Sequence, residues 1–184
     1  MLPDDLARTL EQYRPVLRVL AATRLDPRVR EKVDPSDLVQ ESLVKAYAHL
    51  AQFQGTTPAQ LHAWVRQILA NEMALAVRRF VGGPRGLEQS LEAALEESSV
   101  NLDLWLADLS EEPREEAQRR EQLTRLMAGL ADLPADQRAA LELRYLQGLS
   151  PPQIAEREGK TTAAVAGLLR RGLEQLRQVL AEEA

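Results

Sequence analysis

Residues 150–180 read Ser150-Pro-Pro-Gln-Ile-Ala-Glu-Arg-Glu-Gly159-Lys-Thr-Thr-Ala-Ala-Val165-Ala-Gly-Leu-Leu-Arg170-Arg-Gly-Leu-Glu-Gln-Leu176-Arg-Gln-Val-Leu180. Ser150 followed three residues later by Gln153, with prolines in the first turn, is a capping box and opens a short helix. Gly159 stops that helix, and Thr161 or Thr162 caps a second one. In the second helix Val165, Leu168, Leu169, Leu173, Leu176 and Leu180 recur at helical spacing. A short helix, a glycine-containing turn and a longer helix form a helix-turn-helix, whose second helix normally lies in a major groove. The same pattern also fits a plain three- or four-helix domain.

The core stripe of the last helix centres on Val165, Leu169 and Leu176, which turns Ala163, Gly167, Arg170, Arg171 and Glu174 to the opposite face. Lys160, Arg170, Arg171 and Arg177 reach phosphates, which position a protein without reading bases. The first two turns offer only Thr161, Thr162 and alanines, whereas bidentate base reading needs arginine, asparagine or glutamine. Sequence reading here is therefore expected to be modest, and affinity electrostatic and salt-sensitive.

Working toward the N-terminus, helical patterns start at Pro134, with Leu141, Leu143 and Leu146, and near Glu121, with Leu123, Leu126, Met127 and Leu130. From about Gly86 to Arg120 the periodicity weakens; short helical turns fit Leu87 to Leu95, but the segment as a whole reads as a linker. Further back, Thr57-Pro-Ala-Gln60 is a second capping box, opening a helix that runs to Phe80. Asp34-Pro35 starts another that continues to about Phe53, and a first helix covers Asp4 to Arg24. The expected fold is all-α: a helical bundle over residues 1–83, an acidic linker over 84–120 and a helix-turn-helix domain over 121–184. No period-2 alternation marks a strand, and there is no internal repeat.

Apolar residues make up 45% of the 184, which argues against wholesale disorder. Ala, Leu, Glu, Gln and Arg dominate, and these lose little side-chain entropy in a helix. The absence of cysteine excludes disulfides, thiolate metal sites and a cysteine nucleophile. His49 and His62 fall in different helices without metal-ligand spacing and read as helix-surface histidines. No nucleophile motif, cleft-type carboxylate pair or phosphate-binding glycine loop stands out, so neither an enzyme nor a cofactor is expected. The opening Met1-Leu-Pro-Asp-Asp-Leu6 has no signal-peptide pattern and no stretch is long enough to span a bilayer; the expectation is a cytoplasmic protein without membrane insertion.

Net charge is −5, but its distribution is uneven: residues 88–121 hold eleven acidic side chains against three arginines, leaving +3 elsewhere. An acidic segment between two mildly basic blocks suits a protein whose ends meet phosphate. It equally suits a solvated linker between neutral domains.

Two faces in the first domain carry chemistry. The Pro35–Phe53 helix buries Val39, Leu43, Ala46, Tyr47 and Leu50 and turns out Asp37, Gln40, Glu41, Val44 and Ala48. Carboxylates beside an apolar residue suggest a docking surface for a basic helical partner, although a merely solvated acidic face fits the same residues. The Pro58–Phe80 helix turns out Gln67, Asn71, Ala74 and Arg78, flanked by Ala63, Arg66 and Ala70; amides and guanidiniums over small alanines can bond bases and phosphates. The preceding loop, Phe53-Gln54-Gly55-Thr56-Thr57, offers a stacking ring and polar groups suited to single-stranded bases. Phe53 fits a core position as well.

Together these pieces resemble the extracytoplasmic-function sigma factors. Asp34-Pro-Ser-Asp-Leu-Val-Gln-Glu-Ser42, Ala51-Gln-Phe-Gln-Gly55 and Leu61-His-Ala-Trp-Val-Arg-Gln-Ile-Leu-Ala-Asn71, ending in Val77-Arg-Arg-Phe80, look like region 2. Leu133-Pro134, Leu141-Glu-Leu-Arg-Tyr-Leu-Gln-Gly-Leu-Ser150, Gln153-Ile-Ala155, Ala164-Val165 and Leu169-Arg-Arg171 look like region 4. The resemblance implies partners: core RNA polymerase through its beta-prime clamp helices and its beta subunit, promoter DNA, and an anti-sigma factor, which commonly holds members of this family. It implies that Asp37, Gln40, Glu41 and Val44 dock on polymerase. It also implies that Phe53 and Gln54 capture a flipped base, and that Arg66, Gln67, Asn71, Arg78 and Arg79 contact the melting strand. Lys160, Thr161, Thr162, Arg170, Arg171 and Arg177 would bind the upstream element, and the acidic linker would thread toward the active-site channel. Many family members carry Lys or Arg near Ala166, Gly167 and Leu168, which this chain lacks. Two other readings remain: a dimeric helix-turn-helix regulator acting without polymerase, and a helical adaptor that binds no nucleic acid.

Overall fold

The computed structural model describes residues 3–84, 86–109 and 116–181. Nine α-helices appear among them, with no strand: α1 Pro3–Arg24, α2 Pro27–Arg30, α3 Pro35–Ala48, α4 Pro58–Phe80, α5 Leu87–Leu109, α6 Glu116–Asp132, α7 Ala135–Leu141, α8 Pro151–Glu158 and α9 Thr162–Ala181. The chain divides into two compact units, Met1–Glu96 and Glu97–Ala184. Among the described residues no helix is long and apolar enough to cross a membrane.

In the first unit α1, α3 and α4 pack against one another. Leu6, Leu10, Tyr13, Leu17 and Leu20 form one buried stripe of α1, and Leu38, Val39, Leu43 and Ala46 the matching face of α3. Leu61, Val65, Leu69 and Met73 complete the core from α4. Each such aliphatic side chain contributes roughly 1.5–3 kcal/mol on burial, against about 0–1 kcal/mol for a surface ion pair, so packing sets the helix positions. The expected caps are in place. Asp34 accepts from the Ser36 N–H at 2.7 Å, and Thr57 and Gln60 exchange bonds of 3.2 and 3.3 Å.

Three expectations need correction. α3 ends at Ala48, not Phe53: the His49 N–H closes onto Lys45 and Ala46 carbonyls, a 3₁₀ turn follows over Leu50–Gln52, and Tyr47 and Leu50 are only half-buried. Residues 87–109 of the expected linker are a 23-residue helix with Leu95, Leu102, Trp105 and Leu106 buried; residues 85 and 110–115 lie outside the described residues. The stripe is hard to see in the sequence because a polar residue, Ser98, occupies one of its buried positions. The Ser98 hydroxyl is satisfied there by donating to the Leu146 carbonyl at 3.0 Å, joined by Asn101 Nδ2 at 3.3 Å. That carbonyl is available because the helix ends there: Leu146 closes the π-helical turn Glu142–Leu146 that follows α7, and the last carbonyls of a helix have no donor within it. Finally, His62 is not a plain surface residue: its ring stacks on Tyr13 at 3.8 Å between centroids.

The second unit gathers α6, α7 and α8 around α9. Leu143, Ile154, Ala155 and Val165 form a buried cluster, flanked by Leu149 and Leu169, that fixes α8 against α9. Gly159 ends α8 at φ +62°, a left-handed turn that any side chain would strain. Thr161 is the residue that caps α9, its Oγ1 accepting from the Ala164 N–H at 3.1 Å.

Candidate protein-docking and nucleic-acid interfaces

On α3, the packing of Leu38, Val39, Leu43 and Ala46 leaves Asp37, Gln40, Glu41 and Val44 exposed along one side, with Val44 56% accessible. Two side chains shape that face from outside it. Arg14 of α1 donates Nη1 to the Gln40 carbonyl oxygen and is itself held by Glu11, through Nε and Nη2 at 2.9 Å each. The Tyr47 hydroxyl donates to the same Glu11 at 2.7 Å. Burial and then the Glu11 carboxylate push the Tyr47 phenol up to about 12, and the Arg14 bond, with help from Tyr47, holds the Glu11 carboxyl below its ordinary range. Lys45, the one cation of α3, pairs with Glu72 of α4 at 2.6 Å. Its charge is thus drawn toward α4, and the carboxylates of Asp37 and Glu41 dominate the face. No signal in α3 itself points to Arg14; only the α1–α3 packing reveals it.

On α4, the exposed stripe is Ala63, Gln67, Asn71, Leu75 and Arg78, with Arg79 beside it. Arg79 rests its guanidinium 5.3 Å from the Phe80 ring. Ala70 and Ala74, expected outward, are buried, and Leu75, absent from the expected stripe, is 51% exposed in their place. Stepping four residues at a time from Ala63 leads to it. Arg66 requires the larger correction: expected to face a nucleic-acid strand, it is buried at 7% accessibility. Its Nη1 donates to the Tyr13 hydroxyl at 3.1 Å and its Nη2 bonds Glu96 of α5. Burial works against the Arg66 charge, but the Tyr13 and Glu96 oxygens outweigh it, and the guanidinium titrates above its usual range. A long side chain on the flank of α4 reaches inward wherever a neighbouring helix offers acceptors, and α1 and α5 both do. Arg78 remains at the surface, paired with Glu88 at 2.9 Å.

The loop before α4 is built by local interactions. The Gln60 side chain accepts from the Thr56 N–H at 2.8 Å as well as from Thr57, tying the loop to the helix start. Phe53 is half-buried, its ring 5.3 Å from that of Trp64, and a Cβ on Gly55 would lie 2.2 Å from Phe53 Cζ. Glycine is required there so that the ring can cross the loop. Gln54 is exposed.

On α9, Thr161, Thr162, Ala163, Ala164 and Ala166 are exposed at the N-terminal end, with Arg170, Arg171 and Arg177 exposed further along. Arg170 pairs with Glu174 at 3.0 Å, a helix-surface pair. Lys160, half-buried, lies 3.7 Å from Asp136 of α7. Arg157 of α8, not singled out by sequence, is also exposed and bonds Gln147 at 3.1 Å. Small residues at one end and guanidiniums at the other allow close approach to a polyanion and bonding to its phosphates. Among the described residues no cluster of His, Cys, Asp or Glu is arranged to hold a metal ion.

Comparison with known proteins meets this geometry at both ends. The family described as Sigma-70 region 2 matches residues 9–80, and that described as Sigma-70, region 4 matches 123–176, more than half of the chain together. α5 falls in the unmatched interval. The chain is 31% identical over 152 residues to the probable RNA polymerase sigma factor RfaY of Xanthomonas campestris pv. campestris, covering 82% of this chain and 35% of that protein. It is 31% identical over 156 residues to the ECF RNA polymerase sigma factor SigG of Mycobacterium tuberculosis, covering 79% and 42%. With SigD of the same organism it shares 29% over 174 residues, covering 95% and 76%. The chain thus spans less than half the length of RfaY and SigG and about three quarters of SigD.

Proposed function

This chain belongs to the sigma-70 family, in its extracytoplasmic-function group, and from that premise we propose that it binds core RNA polymerase and directs transcription initiation at particular promoters. The observation that carries the reading is the presence of both matched regions in order, each with an exposed face suited to its part. Residues 1–83 bind polymerase and open DNA, residues 84–120 connect, and residues 121–184 bind upstream DNA. Asp37, Gln40, Glu41 and Val44 dock on the clamp helices of the beta-prime subunit. Charge complementarity favours a basic partner, and the apolar Val44 adds area that water leaves on docking. Gln67, Asn71, Arg78 and Arg79 contact the strand being melted, with Phe53 and Gln54 at the loop where a base is captured. Arg66 is reassigned from DNA contact to positioning, because its guanidinium is already buried between Tyr13 and Glu96.

The α9 face binds upstream DNA chiefly through phosphates, from Lys160, Arg170, Arg171 and Arg177, with the Thr161 and Thr162 end approaching base edges. The protein acts by binding, without catalysing a reaction itself, in the cytoplasm where the polymerase works. An anti-sigma factor competing for the α3 face is the regulatory partner this reading adds. The test is transcription in vitro: purified protein added to core polymerase on a random promoter library enriches a common promoter pair. A protein that forms no initiating complex, and instead binds a palindromic duplex as a dimer, is a helix-turn-helix regulator.

A further inference from the structure

α5 returns along α4 within the first unit. After the chain reverses over residues 81–86, Glu88 meets Arg78 at 2.9 Å, and Glu96, about two turns further along α5, meets Arg66, about three turns earlier in α4. The two helices therefore run antiparallel here. Leu95, the neighbour of Glu96 in sequence, is fully buried. Glu88, Glu92 and Glu96 recur every four residues, so one side of α5 carries a row of carboxylates. A carboxylate offers a guanidinium the same acceptor oxygens as a phosphate.

We infer that α5 is an internal competitor for nucleic acid: its carboxylates occupy the guanidiniums of α4, and a DNA strand must displace Glu88 before it engages Arg78. The inference rests on the reading of α4 as a nucleic-acid face. The two ion pairs have different parts. Arg66 is buried, so its link to Glu96 is the anchor. Arg78 and Glu88 are 38% and 39% accessible, so their pair is screened, weak and releasable. A strand held close by polymerase outcompetes one carboxylate, whereas dilute bulk DNA gains less. The latch thereby lowers the free protein's affinity for DNA by a few-fold.

The experiment is fluorescence anisotropy of a short fluorescein-labelled single-stranded oligonucleotide with the full-length protein, without polymerase, at low salt. Glu88→Gln is expected to bind roughly threefold tighter than wild type and with a steeper salt dependence, since an intramolecular pair no longer has to break. Glu31→Gln, an exposed carboxylate at the end of α2, makes the same change in net charge and is expected to gain little. In an Arg78→Ala background Glu88→Gln is expected to gain nothing over its parent. A gain no larger than that of Glu31→Gln, a gain that persists without Arg78, or no DNA binding by wild type and Glu88→Gln alike overturns the inference. Run-off transcription with core polymerase, measured in parallel, judges the functional reading separately: its failure beside a specific Glu88→Gln gain sinks the polymerase role and leaves the competition standing.

Discussion

The α3 and α4 faces of the first unit and the arginines of α9 in the second present their side chains in opposite ways. In the first, the groups around the candidate faces are tied to neighbouring helices: Gln40 to Arg14, Lys45 to Glu72, Arg66 to Glu96 and Arg78 to Glu88. In the second, the arginines of α9 stand in solvent, with Glu174 of the same helix as the partner of Arg170. The difference separates two kinds of recognition. Side chains that must meet a folded partner benefit from being held in one geometry beforehand, as Arg14 holds Gln40, whereas the Arg78–Glu88 pair has to open before a strand is bound. Cations that meet a uniform phosphate backbone lose little by remaining free, because phosphates position without specifying. An arginine on an outward helix position is therefore not yet a DNA-binding group, and its partners decide.

The largest effect that would break this contrast is on the α3 face. Reversing Asp37→Arg with Glu41→Arg is expected to weaken polymerase binding by on the order of 100-fold or more while leaving the thermal melt unchanged, since both side chains are exposed. Co-purification of the folded double variant with core polymerase at wild-type levels would remove the docking assignment. Next in size is a matched pair of truncations. Arg66→Ala is expected to destabilise the first unit by about 2 kcal/mol in urea denaturation, because Tyr13 and the buried end of α4 lose their bridge to α5. Arg171→Ala should change stability by no more than about 0.5 kcal/mol. Equal effects of the two would erase the distinction drawn between the units.

A smaller effect concerns binding mode. Removing Arg170 and Arg171 together is expected to lower the affinity of α9 for duplex DNA about equally for all sequences and to reduce the salt slope by roughly one for each phosphate left without its guanidinium. A weakening confined to one promoter sequence would mean that these side chains read bases. The smallest effect is acid sensitivity of the first unit. The Ser36 N–H bond lowers the Asp34 carboxyl, and the Arg14 bond lowers that of Glu11. A carboxyl lowered in the folded state adds stability above the ordinary carboxylate range and withdraws it as pH falls through the lowered value, so a gradual loss is expected below about pH 4. Asp34→Asn should flatten that limb of the pH–stability curve, and an unchanged limb would discharge Asp34 from it.

The sequence by itself determined the helical class, the caps of α3, α4 and α8, the helix-turn-helix and the outward positions of Asp37, Gln40, Glu41, Val44, Asn71 and Arg78. These follow from local rules: a cap bonds within three residues, and helical period assigns faces when one stripe is plainly apolar. Only the tertiary structure decided that residues 87–109 are a helix, that Arg66 turns inward and that Arg14 reaches Gln40. Ser98 looks polar along the chain and becomes a buried residue only when the Leu146 carbonyl arrives to receive its hydroxyl. A long side chain likewise has no fixed direction until neighbouring helices supply acceptors. Period and capping are encoded over a few residues, whereas the partners that satisfy Arg66 and Ser98 lie 30 to 53 positions away in the chain.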